Sequence, residues 1–343
     1  SEMCIRDRVS DGQVNFNQAV IVLAIVMLIY ETLGGMRSVA WTDVTQGIIL
    51  LLSLGFIAFA LFFHLGGPAG VAEGLEVARP DIWSPPELEQ KITWLSSTLL
   101  FFFGISMYPH AIQRIYAAKN ERTLKRSLQV MAFMPLFTTF FLVLLGVMAI
   151  AIIPGLGKEE SDRTTLLMVG KLVQELPALT IMGPILVAAV IAATMSTIDS
   201  ALLAISSLVT NDIYRIYNPE ANSRELTRVG KATSIIIMVL VVFLTIALQD
   251  QTIWRLLEIK LEVLAQIAPA VMLGIQCKKI KALSIFFGVI LGTFTAVYLT
   301  MLPDPKPYGI HAGIWGLGVN FFTVLFFHFA MDRGRTGTPT EER

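Results

Sequence analysis

Between Leu128 and Ile153 the chain runs for 26 residues without a charged side chain. A helix needs about 20 mainly apolar residues, each adding ~1.5 Å, to cross the hydrocarbon layer of a bilayer. Inside that layer the backbone must satisfy its own hydrogen bonds, which a continuous apolar run does as a helix. Nine segments read this way: roughly 16–33, 44–65, 93–113, 128–153, 179–208, 232–248, 256–276, 283–302 and 313–331. The seventh is the least apolar, because Glu258, Lys260 and Glu262 fall in its first two turns. Composition agrees: the chain is 55% hydrophobic and 15% charged, against about 45–50% and ~25% in a soluble domain. The expected class is an all-α polytopic membrane protein with about nine transmembrane helices.

Residues 1–15 hold no apolar h-region, so they do not read as a signal peptide. They read as a non-membrane leader and fit an artificial junction. Residues 16–331 form the expected transmembrane domain, and 332–343 a polar cytoplasmic tail. With the N-terminus outside, the inward loops carry sixteen lysines and arginines and the outward segments nine. That bias obeys the positive-inside rule, and an odd number of spans then places the C-terminus in the cytoplasm. Net charge is zero, which offers no argument for a nucleic-acid partner. Cys4 and Cys277 alone make no disulfide framework or metal cluster.

The apolar run that starts near Leu179 turns polar in its middle, at Ser196, Thr197, Asp199 and Ser200. A carboxylate at membrane depth costs roughly 2.5–3.5 kcal/mol on insertion scales. Small and hydroxyl residues recur there at helical spacing (Ala193, Ser196, Thr197, Ser200, Ala204, Ser207). Close helix packing, with hydroxyls bonded back to their own helix, explains Ala204 and Ser207. It explains Ser196-Thr197 less well. A hard cation takes oxygen ligands, and two adjacent hydroxyls plus the Ala193 carbonyl can supply three. Asp199 lies on another part of the helix circumference, on an exit path or paired with a basic residue.

Three further stretches carry chemistry. In YETLGGMRSVAWTDVTQ (30–46), Gly34-Gly35 permit a tight turn and Asp43 opens the second span. Asp43 is either a helix-terminal acid or a group that draws cations toward a site above it. In GISMYPHAIQRIYAAK (104–119), Pro109 interrupts the third span and Arg114 marks its inner boundary. In EIKLEVLAQIAPAVMLG (258–274), Glu258 and Lys260 read as solvated interfacial charges, while Gln266 is deeper and is a candidate substrate contact. Gly288 and Gly292 form a packing G-x-x-x-G pair. No hydrolase, Walker or paired-cysteine motif appears, so no catalytic or cofactor-binding residue is expected.

At 30–46, 104–119 and AATMSTIDSALLAISSLVTNDIYR (192–215) the chain resembles the sodium/solute symporter family of sodium-coupled proline, pantothenate and sugar carriers. The resemblance implies an inverted five-helix-repeat transporter fold. It implies a sodium site at Ala193, Ser196 and Thr197, with Asp43 on the sodium path. It also implies a substrate face on the third span at Phe101, Ile105 and Pro109. Members usually carry three or four more helices before the YETLGG segment, so the first repeat reads as incomplete. The expected function is sodium-coupled symport of a small organic solute by alternating access, in the cell (inner) membrane, with sodium ion as co-substrate and the lipid bilayer as surroundings. The alternative is a transporter-fold sensor or channel-like protein without coupled transport.

Overall fold

The computed structural model describes residues 15–175, 180–249, 251–277 and 280–333. The expected leader up to residue 14, the tail from residue 334, and Lys278 and Lys279 of one expected inner loop lie outside these. Every regular element among the described residues is helical. The chain divides into two compact units, Ser1–Trp83 with Gln113–Thr252, and Ser84–Ile112 with Ile253–Arg343.

The first unit holds α1 (Phe16–His64), α2 (Gly67–Ala78), α5 (Glu121–Ile152), α6 (Thr164–Glu175), α7 (Met182–Leu208) and α8 (Ser223–Ala247). Helix starts are set by polar side chains. Asn120 accepts from the Thr123 N–H at 2.8 Å ahead of α5. Ahead of α8, Asn222 accepts from Arg224 and Glu225 N–H while Glu225 reaches back to the Asn222 N–H, a reciprocal cap. A π-helical turn, Val209–Tyr214, extends α7.

Helical bonding is continuous over Phe16–His64, but α1 has two apolar arms, Phe16–Leu33 and Ala40–His64. Met27 shares a cluster with Leu202 of α7, and Asp43 bonds to Ser196 of α7. Both arms thus pack along α7, the first through the Met27 cluster and the second through Asp43. The main core joins Ile57 and Leu61 of α1, Met148 of α5, Met168 of α6 and Leu186 of α7, all buried. Lipid is as apolar as these side chains, so dense packing rather than exclusion from water holds the helices together. The exposed Phe59, Leu136, Phe140 and Phe243 suit that solvent.

The second unit holds α3 (Leu88–Ser106), the start of α4 (Pro109–Tyr116), α9 (Ile253–Leu264), α10 (Ala268–Gln276), α11 (Ala282–Thr300) and α12 (Ala312–Arg333). Pro109 has no N–H for the Ile105 carbonyl, which instead accepts from Tyr108 at 3.3 Å. The result is a break at Met107–Tyr108 and a bend of 45° between α3 and α4. Among the described residues, the most extensive helix contact is α11 against α12. A methyl group placed on Gly316 would lie 2.5 Å from the Gly292 carbonyl oxygen; one on Gly292 would lie 2.7 Å from both Asn320 Cβ and Gln266 Oε1. The expected G-x-x-x-G pair thus packs helices, and it also makes room for two buried amide side chains.

Seven described helical segments, the two arms of α1 counted separately, are long and apolar enough to cross a bilayer, or up to eight if α3 and α4 make one bent span. Nine were expected. The expected span 256–276 is divided by a 3-10 turn at Ala265–Ile267 and by Pro269 in the first turn of α10, leaving pieces of 12 and 9 residues. Glu258 also differs from expectation. It is 3% exposed, and Trp254 Nε1 (2.8 Å), Lys306 Nζ (2.7 Å) and His311 Nε2 (3.3 Å) gather on one oxygen while Arg255 reaches the other. Partners from three segments compensate its charge, so it needs no water. Lys260 is exposed as expected, with its ammonium 4.9 Å from the Tyr108 ring centre.

Candidate functional site

The polar middle of α7 faces the second arm of α1. Ser196 and Ser200 are four residues apart and therefore on one helix face. Ser196 Oγ donates to Asp43 Oδ1 at 2.5 Å. Ser200 Oγ accepts from Arg114 Nη2 at 2.5 Å, and the same nitrogen forms an ion pair with Asp43 Oδ2. The Asp43 carboxylate is 14% exposed and the Arg114 side chain 52%. One acid thus ties together α7, the second arm of α1 and Arg114.

Thr197 Oγ1 donates to the Ala193 carbonyl at 3.1 Å, the back-bonding expected of a hydroxyl in an apolar helix. In that arrangement each of the three oxygens keeps acceptor capacity. A hydroxyl that donates its proton still has lone pairs, and a carbonyl with one donor has a second. Ala193 and Ser196 are half-buried and Thr197 is exposed. The donor set is all oxygen and stands beside a carboxylate, which suits a hard monovalent cation. Ala193, Ser196 and Thr197 thus present three oxygens with acceptor capacity on α7. Asp43 also lines a cavity of about 990 Å³ whose walls are mainly apolar, among them Leu51, Met134, Val187 and Ile191.

Asp199, expected on an exit path or beside a base, is 1% exposed, and its Oδ1 has no hydrogen-bond partner among the described residues. Ser200 and Arg114 are the site residues that sequence reasoning left out. Arg114 read as a boundary marker, and its partner Ser200 is 86 positions away.

The substrate candidates lie in the second unit. Phe101 packs on Leu100, Leu261 and Ala265, with its ring 5.8 Å from Trp254. Ile105, four residues on, is 45% exposed. Pro109 opens α4 beyond the break. Gln266 is fully buried; its Nε2 donates to the Glu262 and Gly313 carbonyls, and its own carbonyl accepts from Asn320. Those bonds fasten α9 and the Ala265–Ile267 turn to α12 within the unit, a packing role that its sequence position did not suggest.

A sodium/pantothenate symporter of Haemophilus influenzae is 27% identical over 294 residues, 84% of this chain and 59% of that protein. The osmoregulated proline transporter OpuE of Bacillus subtilis is 26% identical over 298 residues, 85% of this chain and 58% of that protein. The chain therefore spans about three fifths of the length of these curated relatives. Among solved structures, a sodium-coupled sialic acid symporter in a substrate-bound, outward-open state superimposes with a TM-score of 0.66 at 19% identity, covering 93% of this chain and 68% of that one. This likeness gives the fold, the all-helical transporter architecture expected above. The family model described as "Sodium:solute symporter family" matches residues 12–292, and so the chain belongs to that family of membrane transporters.

Proposed function

We propose that the full-length protein is a sodium-coupled symporter that moves a small organic solute by alternating access. The observation that carries this reading is the Ser196–Asp43 hydrogen bond. It places a carboxylate against the hydroxyl pair of α7 in a chain of a sodium symporter family. In this reading the Ala193 carbonyl and the Ser196 and Thr197 hydroxyls contact sodium, and Asp43 supplies the charge that guides it in or out. Phe101, Ile105 and Pro109 form part of the substrate face. Gln266 would join them through its side-chain oxygen, which has no hydrogen-bond partner among the described residues, while its Nε2 keeps its packing bonds. The relatives' names, pantothenate and proline, support a small organic acid or amino acid as solute. The lysine and arginine bias supports an outer N-terminus and an inner C-terminus for the chain, within the cell membrane and with residues 16–331 as the transmembrane part.

The test is solute uptake against sodium concentration in proteoliposomes of the full-length protein. Ser196→Ala and Thr197→Ala are each expected to raise the half-saturating sodium concentration by about tenfold or more, the effect of removing one good polar contact to a charge. Unchanged sodium dependence in both variants sinks the assignment.

A further inference from the structure

Arg114 is the charged group in contact with the proposed sodium path, and its geometry suggests more than a structural ion pair. The two oxygens of Asp43 are divided: Oδ1 accepts from Ser196 and Oδ2 pairs with the Arg114 guanidinium. The guanidinium also takes Ser200 as an acceptor, one turn along α7 from Ser196. An arginine cannot lose its proton in a protein. While it is engaged, Asp43 and Arg114 together carry no net charge. A cation on the Ser196 side then has a neutral pair as its neighbour instead of a carboxylate.

The segment that carries Arg114 is poorly anchored. Helix α4 begins immediately after the break at Met107–Tyr108, has eight residues, contains no buried residue and packs only sparsely on other elements. Its arginine is half exposed while the acid it meets is mostly covered. The arginine can therefore withdraw into water at small cost, whereas Asp43 stays in place.

We propose that Arg114 is a tethered competitor of sodium: engaged with Asp43 and Ser200 it holds the site in a low-affinity, sodium-releasing condition, and its withdrawal restores the affinity. Arg114 is a positioning residue here, since it acts on sodium through Asp43. The proposal rests on the sodium reading of Ala193, Ser196 and Thr197 given above.

The experiment is equilibrium binding of radiolabelled sodium to the full-length protein in detergent, paired with sodium efflux from proteoliposomes. Arg114→Gln is expected to lower the half-saturating sodium concentration about fivefold, the size of a partly exposed ion pair, and to slow efflux. Ser200→Ala removes one of the two acceptors of the guanidinium and shifts binding the same way by a smaller factor. Arg114→Lys keeps the charge and stays nearer the wild type. In an Asp43→Asn background, Arg114→Gln has no further effect, because the charge for which it competes is gone. Unchanged or weaker sodium binding in both Arg114→Gln and Ser200→Ala overturns the proposal. If Ser196→Ala and Thr197→Ala also leave sodium binding intact, the sodium reading itself fails. If Ser196→Ala weakens sodium binding while both other variants match the wild type, only the role of Arg114 is lost.

Discussion

Gly316→Ala is expected to destabilise the protein by about 3 kcal/mol, the upper part of the range for overpacking a dense interface, and to lower the thermal midpoint in detergent. The added methyl would lie 2.5 Å from the Gly292 carbonyl oxygen and 2.9 Å from Ala296 Cβ. The first of these is backbone and cannot swing aside, so α11 and α12 must separate. The control lies two residues along the same helix. A methyl on Gly318 meets nothing within 4 Å, so Gly318→Ala is expected to be neutral or mildly stabilising through better helix propensity, worth up to ~1 kcal/mol. Equal midpoints for the two alanine variants, measured by a light-scattering melt, would show that the seam is not tight.

Glu258→Ala is expected to cost about 3–5 kcal/mol, as does removal of one partner from a buried charge cluster. The variant leaves Lys306, Arg255 and the His311 ring without their shared acceptor. It also orphans the Trp254 indole N–H. His311 stays tied to Ser96 through its Nδ1 at 3.1 Å and its backbone N–H at 2.8 Å, so the ring has little freedom to find another partner. Glu258→Gln should fall between, because the amide keeps one oxygen for the donors but loses the charge. Lys260→Ala, two residues on and exposed, should cost less than about 1 kcal/mol, the worth of one exposed cation–π contact. A thermal midpoint for Glu258→Ala no lower than for Lys260→Ala would refute the buried-cluster account.

These two cases show what was legible in the sequence and what was not. Apolar length located the helices, because a 26-residue charge-free run has few other solutions. Pro109 located a break, because the missing donor is a property of one residue. The seventh expected span failed for the opposite reason. Its apolar count was adequate, but the Ala265–Ile267 turn depends on how Gln266 bonds to α12, and periodicity does not report that. Glu258 looked like a surface acid because its own neighbours are charged. Its burial is decided by Lys306 and His311, 48 and 53 positions away. At the candidate site, Ser196 and Thr197 stood out because Asp199, a carboxylate, follows the hydroxyl pair inside an otherwise apolar run. The pairing of Ser196 with Asp43 spans 153 positions, and only the resemblance to a known family pointed to both. Arg114 combined two messages, a loop charge in sequence and a site charge in space, and the first concealed the second.

The seam between α11 and α12 also bears on how the chain can vary. Gln266 Oε1 and the side chain of Asn320 occupy the volume that a side chain on Gly292 would fill, and the Gly292 carbonyl occupies that of Gly316. A larger residue at any one of these places has no room unless another becomes smaller. The four positions therefore form a single heritable unit. Among relatives they should be exchanged as a set, with a bulky residue at 292 accompanied by loss of the amides at 266 and 320, while Gly318 next to them drifts freely.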